Sequence, residues 1–251
     1  MKVFLIGENI GYSSSPKIHN DYYNNHNIDL TYSILDLKEN ELDEFIRKVK
    51  EEKTNVRGFN ITKPYKENII KYLDFKDENV VETKACNTVL VKDSKLYGYN
   101  TDIYGFTESI KENNIDLKEK NALILGSGGG AKAVLKGLKL LGANIYMAFR
   151  DKSKEKDFEG VKKFYSLQDI KTTENFNIII NATTLGNINH DISPIKLTKF
   201  TKDTYLYDLN YVPERSTFLR EGEKKGLKVI NGRLMLKQQA LKAIEIWTKK
   251  F

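Results

Sequence analysis

Hydrophobic and polar positions change period several times along the chain, and each change marks an element. Val3, Phe4, Leu5 and Ile6 form a short apolar run closed by Gly7 and Glu8, which predicts a buried strand over residues 2–7. Residues 16–25 read as a short helix, capped by Ser15 and begun by Pro16, whose fixed φ suits a first helical position. A second strand is predicted over 31–35. Across 39–52, Leu42, Phe45, Ile46 and Val49 recur at helical spacing and share one face that packs on a sheet. Residues 57–61 form a third strand, and 87–91 with 95–99 form a hairpin around a short polar loop. This alternation predicts a mainly parallel sheet with one antiparallel pair at its edge.

From Asn121 the pattern is more regular. Strands are predicted over 122–125, 144–149, 177–181, 205–209 and 228–230, and helices over 131–141, stopped by Gly142, and over 217–225. This is the doubly wound, Rossmann-type arrangement of a dinucleotide-binding domain. A final helix over 234–247 offers Leu234, Leu241, Ile244 and Trp247 for packing and can cross back to the first part of the chain. The prediction is an α/β chain of two domains, one from 1–100 plus 233–251 and the other from 101–232, with hinges at the junctions around a cleft.

A length of 251 residues, above the roughly 100–150 usual for one domain, agrees with that division. Apolar runs fall far short of the roughly 20 residues of a spanning helix, and no signal-peptide core is present, so a cytoplasmic protein without a membrane partner is expected. One cysteine, Cys86, excludes an intramolecular disulfide, and His19, His26 and His190 lack metal-ligand spacing, so no metal is expected. The net charge of +7 comes from lysines scattered along the chain, which describes a solvated surface and not a nucleic-acid patch. The partner expected is a small molecule, and the chain itself is expected to be a monomer or homodimer.

Candidate chemistry sits at the ends of the predicted strands. Gly126, Ser127, Gly128, Gly129, Gly130 and Ala131 lie between a buried strand and a helix, where backbone N–H groups and the helix dipole can meet a pyrophosphate. At the end of the next strand, Arg150, with Lys152 and Lys154 beyond it, can clamp a ribose 2′-phosphate, which favours NADP. Asp151 argues for NAD by accepting from a free ribose diol, or it pairs with Arg150; the two lysines read equally well as a solvated loop. Lys66, in Asn60-Ile61-Thr62-Lys63-Pro64-Tyr65-Lys66, can give and take a hydroxyl proton, with Asp102 orienting the ammonium and the substrate. Thr62, Pro64 and Asn87 keep it company. Ser15 alone is an N-cap, but Ser13 and Ser15 together at a helix start also make a carboxylate site. His19 is expected to pack.

Taken together, these segments resemble the shikimate dehydrogenases over nearly the whole chain. The resemblance rests on Ser13-Ser14-Ser15-Pro16 with His19-Asn20, the Asn60 to Lys66 segment, Cys86-Asn87-Thr88 and Gly98-Tyr99-Asn100-Thr101-Asp102. Asn181-Ala182-Thr183-Thr184-Leu185-Gly186, Tyr207-Asp208-Leu209-Asn210-Tyr211-Val212-Pro213 and the run from Asn231 through Gly232 and Met235 to Gln239-Ala240 continue it in order. It implies an N-terminal substrate-binding catalytic domain and an NADP-binding domain, which carry out NADPH-dependent, reversible reduction of 3-dehydroshikimate to shikimate in aromatic amino-acid biosynthesis. It further implies Lys66 and Asp102 as catalytic pair, and Ser13, Ser15, Thr62, Asn87, Tyr211 and Gln239 as substrate contacts. The glycine loop would carry the pyrophosphate and Arg150 the adenosine phosphate, while Thr183, Leu209, Gly232 and Met235 would line the nicotinamide side.

The chain departs from the family at Tyr12, where histidine is common, and at Phe149-Arg150-Asp151, where Asn-Arg-Thr is commoner. The connection over 187–193 is short, so any lid there is small. Two rival readings remain: an NAD-preferring quinate or shikimate dehydrogenase, and a dinucleotide-sensing module without turnover.

Overall fold

The computed structural model describes residues 1–51, 54–168, 170, 176–198 and 200–249. The chain divides into two compact units, Met1–Gly105 with Leu236–Phe251, and Phe106–Met235.

The first unit is built on strands β1 (Lys2–Gly7), β2 (Thr31–Asp36), β3 (Val56–Ile61), β4 (Phe75–Lys76), β5 (Thr88–Lys92) and β6 (Lys95–Tyr99), in the order β2-β1-β3-β5-β6-β4. The apolar run of β1 is buried on both faces because alternate side chains serve two cores. Phe4 and Ile6 join Phe59, Ile61 and Val89, whereas Val3 and Leu5 join Tyr23, Tyr32, Leu90 and Trp247. Helix α2 (Glu39–Glu51) covers the first of these faces with Leu42, Ile46 and Val49; residue 52 of the predicted helix lies outside the described residues.

Two expectations need correction here. Helix α1 (Ser15–Asn25) starts one residue early, with Ser14 in the cap position and making no capping bond. Pro16 has no N–H to offer, and the N–H of Ser15 donates instead to Ser13 Oγ at 3.2 Å. The hairpin is not at the sheet edge: β5 runs antiparallel to both β3 and β6 inside the sheet, and the two-residue strand β4 pairs parallel to β6 outside it. Asp74 fastens that edge by accepting from Leu96 N–H at 2.8 Å, and Phe75 stacks on Tyr97 at 4.5 Å. A strand this short has no readable period. Helix α3 (Glu78–Thr83) and a 3-10 turn over Asn68–Tyr72 were likewise unmarked in the sequence.

The second unit carries β7 (Asn121–Leu125), β8 (Asn144–Phe149), β9 (Lys163–Ser166), β10 (Ile178–Asn181), β11 (Tyr205–Asp208) and β12 (Lys228–Asn231), all parallel, in the order β12-β11-β10-β7-β8-β9. This is the dinucleotide-binding order, with its reversal between β7 and β10, where the strand ends open a crevice. Helix α4 (Asp102–Glu112) contributes Phe106 and Ile110, and helix α5 (Gly129–Leu140) contributes Val134, Leu135 and Leu138, to one core. Helix α6 (Thr217–Lys224) supplies Phe218 and Leu219 to the core on the other face. Helix α5 starts two residues before the predicted Ala131, because Gly128 in extended conformation serves as its cap. Strand β9 was not predicted.

The final helix α7 (Arg233–Thr248) returns to the first unit, where Trp247 lies against β3 and β5. Its Nε1 donates to Val89 O at 2.9 Å, and a Cβ on Gly58 would run into that indole. Glycine at 58 is therefore a packing requirement. Among the described residues, no helix is long and apolar enough to cross a membrane.

Candidate active site

In the first unit, Lys66 and Asp102 come from two separate chain turns. Lys66 follows β3 in a turn anchored by Tyr65, which is fully buried and donates its hydroxyl to Leu37 O at 2.7 Å. The Lys66 carbonyl accepts from Cys86 N–H at 2.8 Å, so its backbone is tied to the segment that leads into β5. Asp102 opens α4, where its own N–H donates to Asn100 Oδ1. Lys66 Nζ stands 2.6 Å from Asp102 Oδ2, with the side chains 21% and 10% exposed. The pair is mostly shielded yet reachable, which suits an ammonium that must meet a substrate oxygen.

Asn87 determines how Asp102 is held. Its Oδ1 accepts the Thr101 backbone N–H at 2.7 Å, a group that can only donate, so the amide must turn its NH2 the other way. There Nδ2 donates to Asp102 Oδ1 at 2.9 Å, leaving Oδ2 for Lys66. Gln239 on α7 joins the network through Oε1, which accepts from Asn87 Nδ2 at 3.3 Å, while its Nε2 donates to Leu236 O. Lys66, Asp102, Asn87 and Gln239 thus form one hydrogen-bonded group.

Behind it lies a buried polar chain that sequence reasoning did not place in the site. Tyr32 donates to Asn60 Oδ1 at 2.7 Å, and Asn60 Nδ2 donates to Thr88 Oγ1 at 2.8 Å. Thr88 Oγ1 in turn donates to Asn87 Oδ1 at 3.0 Å. The available signal was Asn60 itself, a polar residue inside the apolar strand β3, where an unpaired amide would be costly.

The remaining candidates of the first unit lie in the segments that follow β1 and β3. Thr62 follows β3, and its Cγ2 occupies the space beside Gly7, where a Cβ would lie only 2.6 Å away. Ser13 and Ser15 sit at the start of α1 with their hydroxyls 3.2 Å apart. Next to them Lys63 Nζ lies 5.8 Å from the ring centre of Tyr12. His19 packs, as expected: it is fully buried and stacked on Tyr32 at 4.0 Å, and burial holds its imidazole down at about 3.

In the second unit the glycine loop closes on the ends of neighbouring strands. Gly126 has φ +111°, and a Cβ there would lie 3.0 Å from Ala182 O and 3.2 Å from Thr183 Cγ2. Nothing stands within 4 Å of the Cβ position on Gly128, so that side of the loop is open to a ligand, with the N-terminus of α5 behind it. A Cβ on Gly130 would touch Leu209 at 3.3 Å, and one on Gly232 would run into the Leu209 carbonyl oxygen. Thr183, Leu209 and Gly232 therefore converge beside the loop. Met235, 8% exposed, lies in the adjoining core, and Tyr211 belongs to this unit.

Arg150 is exposed just beyond β8 and has no hydrogen bond or ion pair among the described residues. Asp151 does not pair with it. Its carboxylate accepts from Ser153 Oγ at 2.7 Å and Ser153 N–H at 3.1 Å, capping a 3-10 turn over Lys152–Asp157, and those bonds lower its pKa. The two lysines are thus part of a short helical turn, not an irregular loop. An open glycine loop followed by a free guanidinium at the next strand end fits a phosphorylated dinucleotide.

Comparison with known proteins agrees with this geometry. A family model for the shikimate dehydrogenase substrate binding domain matches residues 5–89. A shikimate dehydrogenase (NADP(+)) of Clostridium botulinum strain Hall is 42% identical over 97% of this chain and 95% of its own. The crystal structure of shikimate dehydrogenase 1 from Peptoclostridium difficile superposes with a TM-score of 0.88 at 34% identity, covering 98% of this chain and 91% of that one. A shikimate 5-dehydrogenase from Thermus thermophilus, in complex with NADP(H) and shikimate, has a TM-score of 0.89 at 30% identity, covering 99% and 93%.

Proposed function

The chain belongs to the shikimate dehydrogenase family, and we propose that it catalyses the reversible, NADPH-dependent reduction of 3-dehydroshikimate to shikimate. The observation that carries this reading is the Lys66–Asp102 pair, held at 2.6 Å by an Asn87 amide whose orientation is dictated by a backbone N–H. NADPH supplies the hydride when bound. Lys66 gives its proton to the carbonyl oxygen as that oxygen gains charge, and in the oxidative direction takes the proton back from the hydroxyl. Asp102 keeps the ammonium aimed and accepts from the substrate hydroxyl beside it. Ser13 and Ser15, at the N-terminus of α1, hold the substrate carboxylate; Thr62, Asn87, Tyr211 and Gln239 hold its hydroxyls.

On this reading the unit of Met1–Gly105 with Leu236–Phe251 supplies the catalytic pair and the substrate contacts other than Tyr211, and Phe106–Met235 supplies Tyr211 and the cofactor contacts. The loop from Gly126 through Ser127, Gly128, Gly129 and Gly130 to Ala131 cradles the pyrophosphate, and Arg150 binds the 2′-phosphate. Thr183, Leu209, Gly232 and Met235 line the nicotinamide. The engagement of Asp151 with Ser153 leaves Arg150 free for that phosphate and favours NADP over NAD. The test is reduction of NADP or NAD by purified protein with shikimate or quinate. Turnover confined to shikimate with NADP is expected. A preference for quinate or NAD would replace the substrate or cofactor named here, and no turnover in any pairing would reduce the protein to a binding module.

A further inference from the structure

Asp208, at the end of β11, is a fully buried carboxylate to which the chemistry above gives no task. No cation is paired with it among the described residues, and burial pushes it up to about 6 against its hydrogen bonds. An unpaired buried carboxylate is expensive to keep unless its acceptor capacity is used. Here that capacity is fully used. Oδ2 accepts from Ser216 Oγ at 2.6 Å; Oδ1 accepts from Asn181 Nδ2 at 3.0 Å and from both the N–H and the Nδ2 of Asn210 at 2.9 Å. Gly186 leaves room for it, since a Cβ there would come within 2.9 Å of Oδ2.

The two asparagines pass this anchoring on to Thr183. Asn181 Oδ1 accepts from Thr183 N–H at 3.0 Å and from its hydroxyl at 2.7 Å, while Asn181 Nδ2 donates to Leu185 O. Asn210 Nδ2 reaches the Thr183 carbonyl at 3.2 Å and the Leu185 carbonyl at 3.0 Å. Leu209 follows Asp208 directly, and its N–H donates to Asn181 O at 2.9 Å. Both asparagines donate to the same oxygen, Oδ1, which must therefore carry no proton, and the carboxylate charge strengthens all three bonds. An amide in its place could keep an oxygen toward the asparagines, but it would lose the charge that strengthens these bonds and turn its NH2 to the Ser216 hydroxyl.

We propose that Asp208 is a positioning residue of this dehydrogenase: through Asn181 and Asn210 it sets Thr183 and Leu209, and so the placement of the nicotinamide ring, without contributing to the grip on the adenosine phosphate. The inference rests on the assignment of Thr183 and Leu209 to the nicotinamide side. It predicts a split between two ends of one cofactor, which a purely structural role would not produce.

The test compares wild type, Asp208→Asn and the milder Ser216→Ala, which removes the bond to Oδ2 and the cap bond to Leu219 N–H but keeps the carboxylate. Misplacing the ring should lower kcat by about 10–100-fold in Asp208→Asn and by less in Ser216→Ala. The deuterium isotope effect on kcat with 4-deuterated NADPH should rise in both variants as hydride transfer becomes limiting, and affinity for 2′,5′-ADP should stay at the wild-type value. Wild-type kcat and isotope effect in the variants, or a parallel loss of 2′,5′-ADP affinity, would overturn the positioning role alone. If Asp208→Asn does not fold, Ser216→Ala decides by the same criteria. Wild-type protein inert with shikimate and NADP would overturn the dehydrogenase reading and the inference with it.

Discussion

Replacing Lys66 by methionine keeps the stem of the side chain and removes its charge, so it isolates the proton from the packing. A positioned acid or base is worth about 100- to 10,000-fold, or about 3–5.5 kcal/mol of barrier. With the two side chains 21% and 10% exposed, water can reach the place the ammonium leaves and partly substitute for it. The loss expected is therefore in the lower half of that range, about 100- to 1,000-fold in kcat. Substrate binding should suffer less, because the serine pair, Thr62 and Gln239 are untouched; a KM change within about tenfold corresponds to about 1.4 kcal/mol. Stability should fall by about 1.5–3 kcal/mol, the worth of one hydrogen bond to a charged group, since Asp102 Oδ2 loses its partner at 2.6 Å. Initial rates in both directions, followed by the absorbance of reduced nicotinamide, give kcat and KM, and thermal melts give the stability term. A variant whose kcat stays within about threefold of wild type would remove Lys66 from proton transfer, because no positioned acid is that weak.

Three further outcomes follow from particular contacts. Arg150→Ala should weaken NADP binding by about 10–100-fold, the loss of a charge-assisted contact, and leave NAD nearly unchanged; equal losses for both cofactors would deny Arg150 the phosphate. Gly126→Ala should abolish cofactor binding measured by fluorescence titration, because φ +111° and the Ala182 carbonyl at 3.0 Å both resist a side chain; wild-type affinity would contradict the geometry. His19 stays neutral in the folded protein down to about pH 3, whereas the unfolded chain takes up a proton below its ordinary 6.5. Its contribution is thus complete above pH 6.5 and falls with acid by about 1.36 kcal/mol per pH unit, reaching about 2 kcal/mol by pH 5. His19→Phe, which can keep the stack on Tyr32, should flatten denaturant-measured stability over that window, and parallel pH curves for the two proteins would refute the assignment.

Much of the architecture was legible along the chain because its signals are local. The continuous apolar run of Val3, Phe4, Leu5 and Ile6, the helical stripe of Leu42, Ile46 and Val49, and a glycine loop between strand and helix are each contained within a few residues. Lys66 and Asp102 could be named as candidates from the polar residues expected at neighbouring strand ends, and as a pair from the family resemblance. The short strands β4 and β9 escaped, as did the eleven-residue helix α4 and the interior position of β5, the last because strand neighbours are selected by pairing energies across the sheet.

What only the tertiary structure decided is who bonds to whom. Asn87 meets Gln239 from 152 positions away, Asn60 meets Tyr32 across 28, and Asp208 gathers Asn181 from 27. None of these separations leaves a trace in local composition. Asp151 chose Ser153 over Arg150 through the conformation of a single turn. The sequence by itself determined which chemical groups stand at the ends of the strands, since periodicity and backbone requirements are properties of neighbouring residues. The fold decided their partners, because buried donors and acceptors must be satisfied by whatever the packing brings within reach.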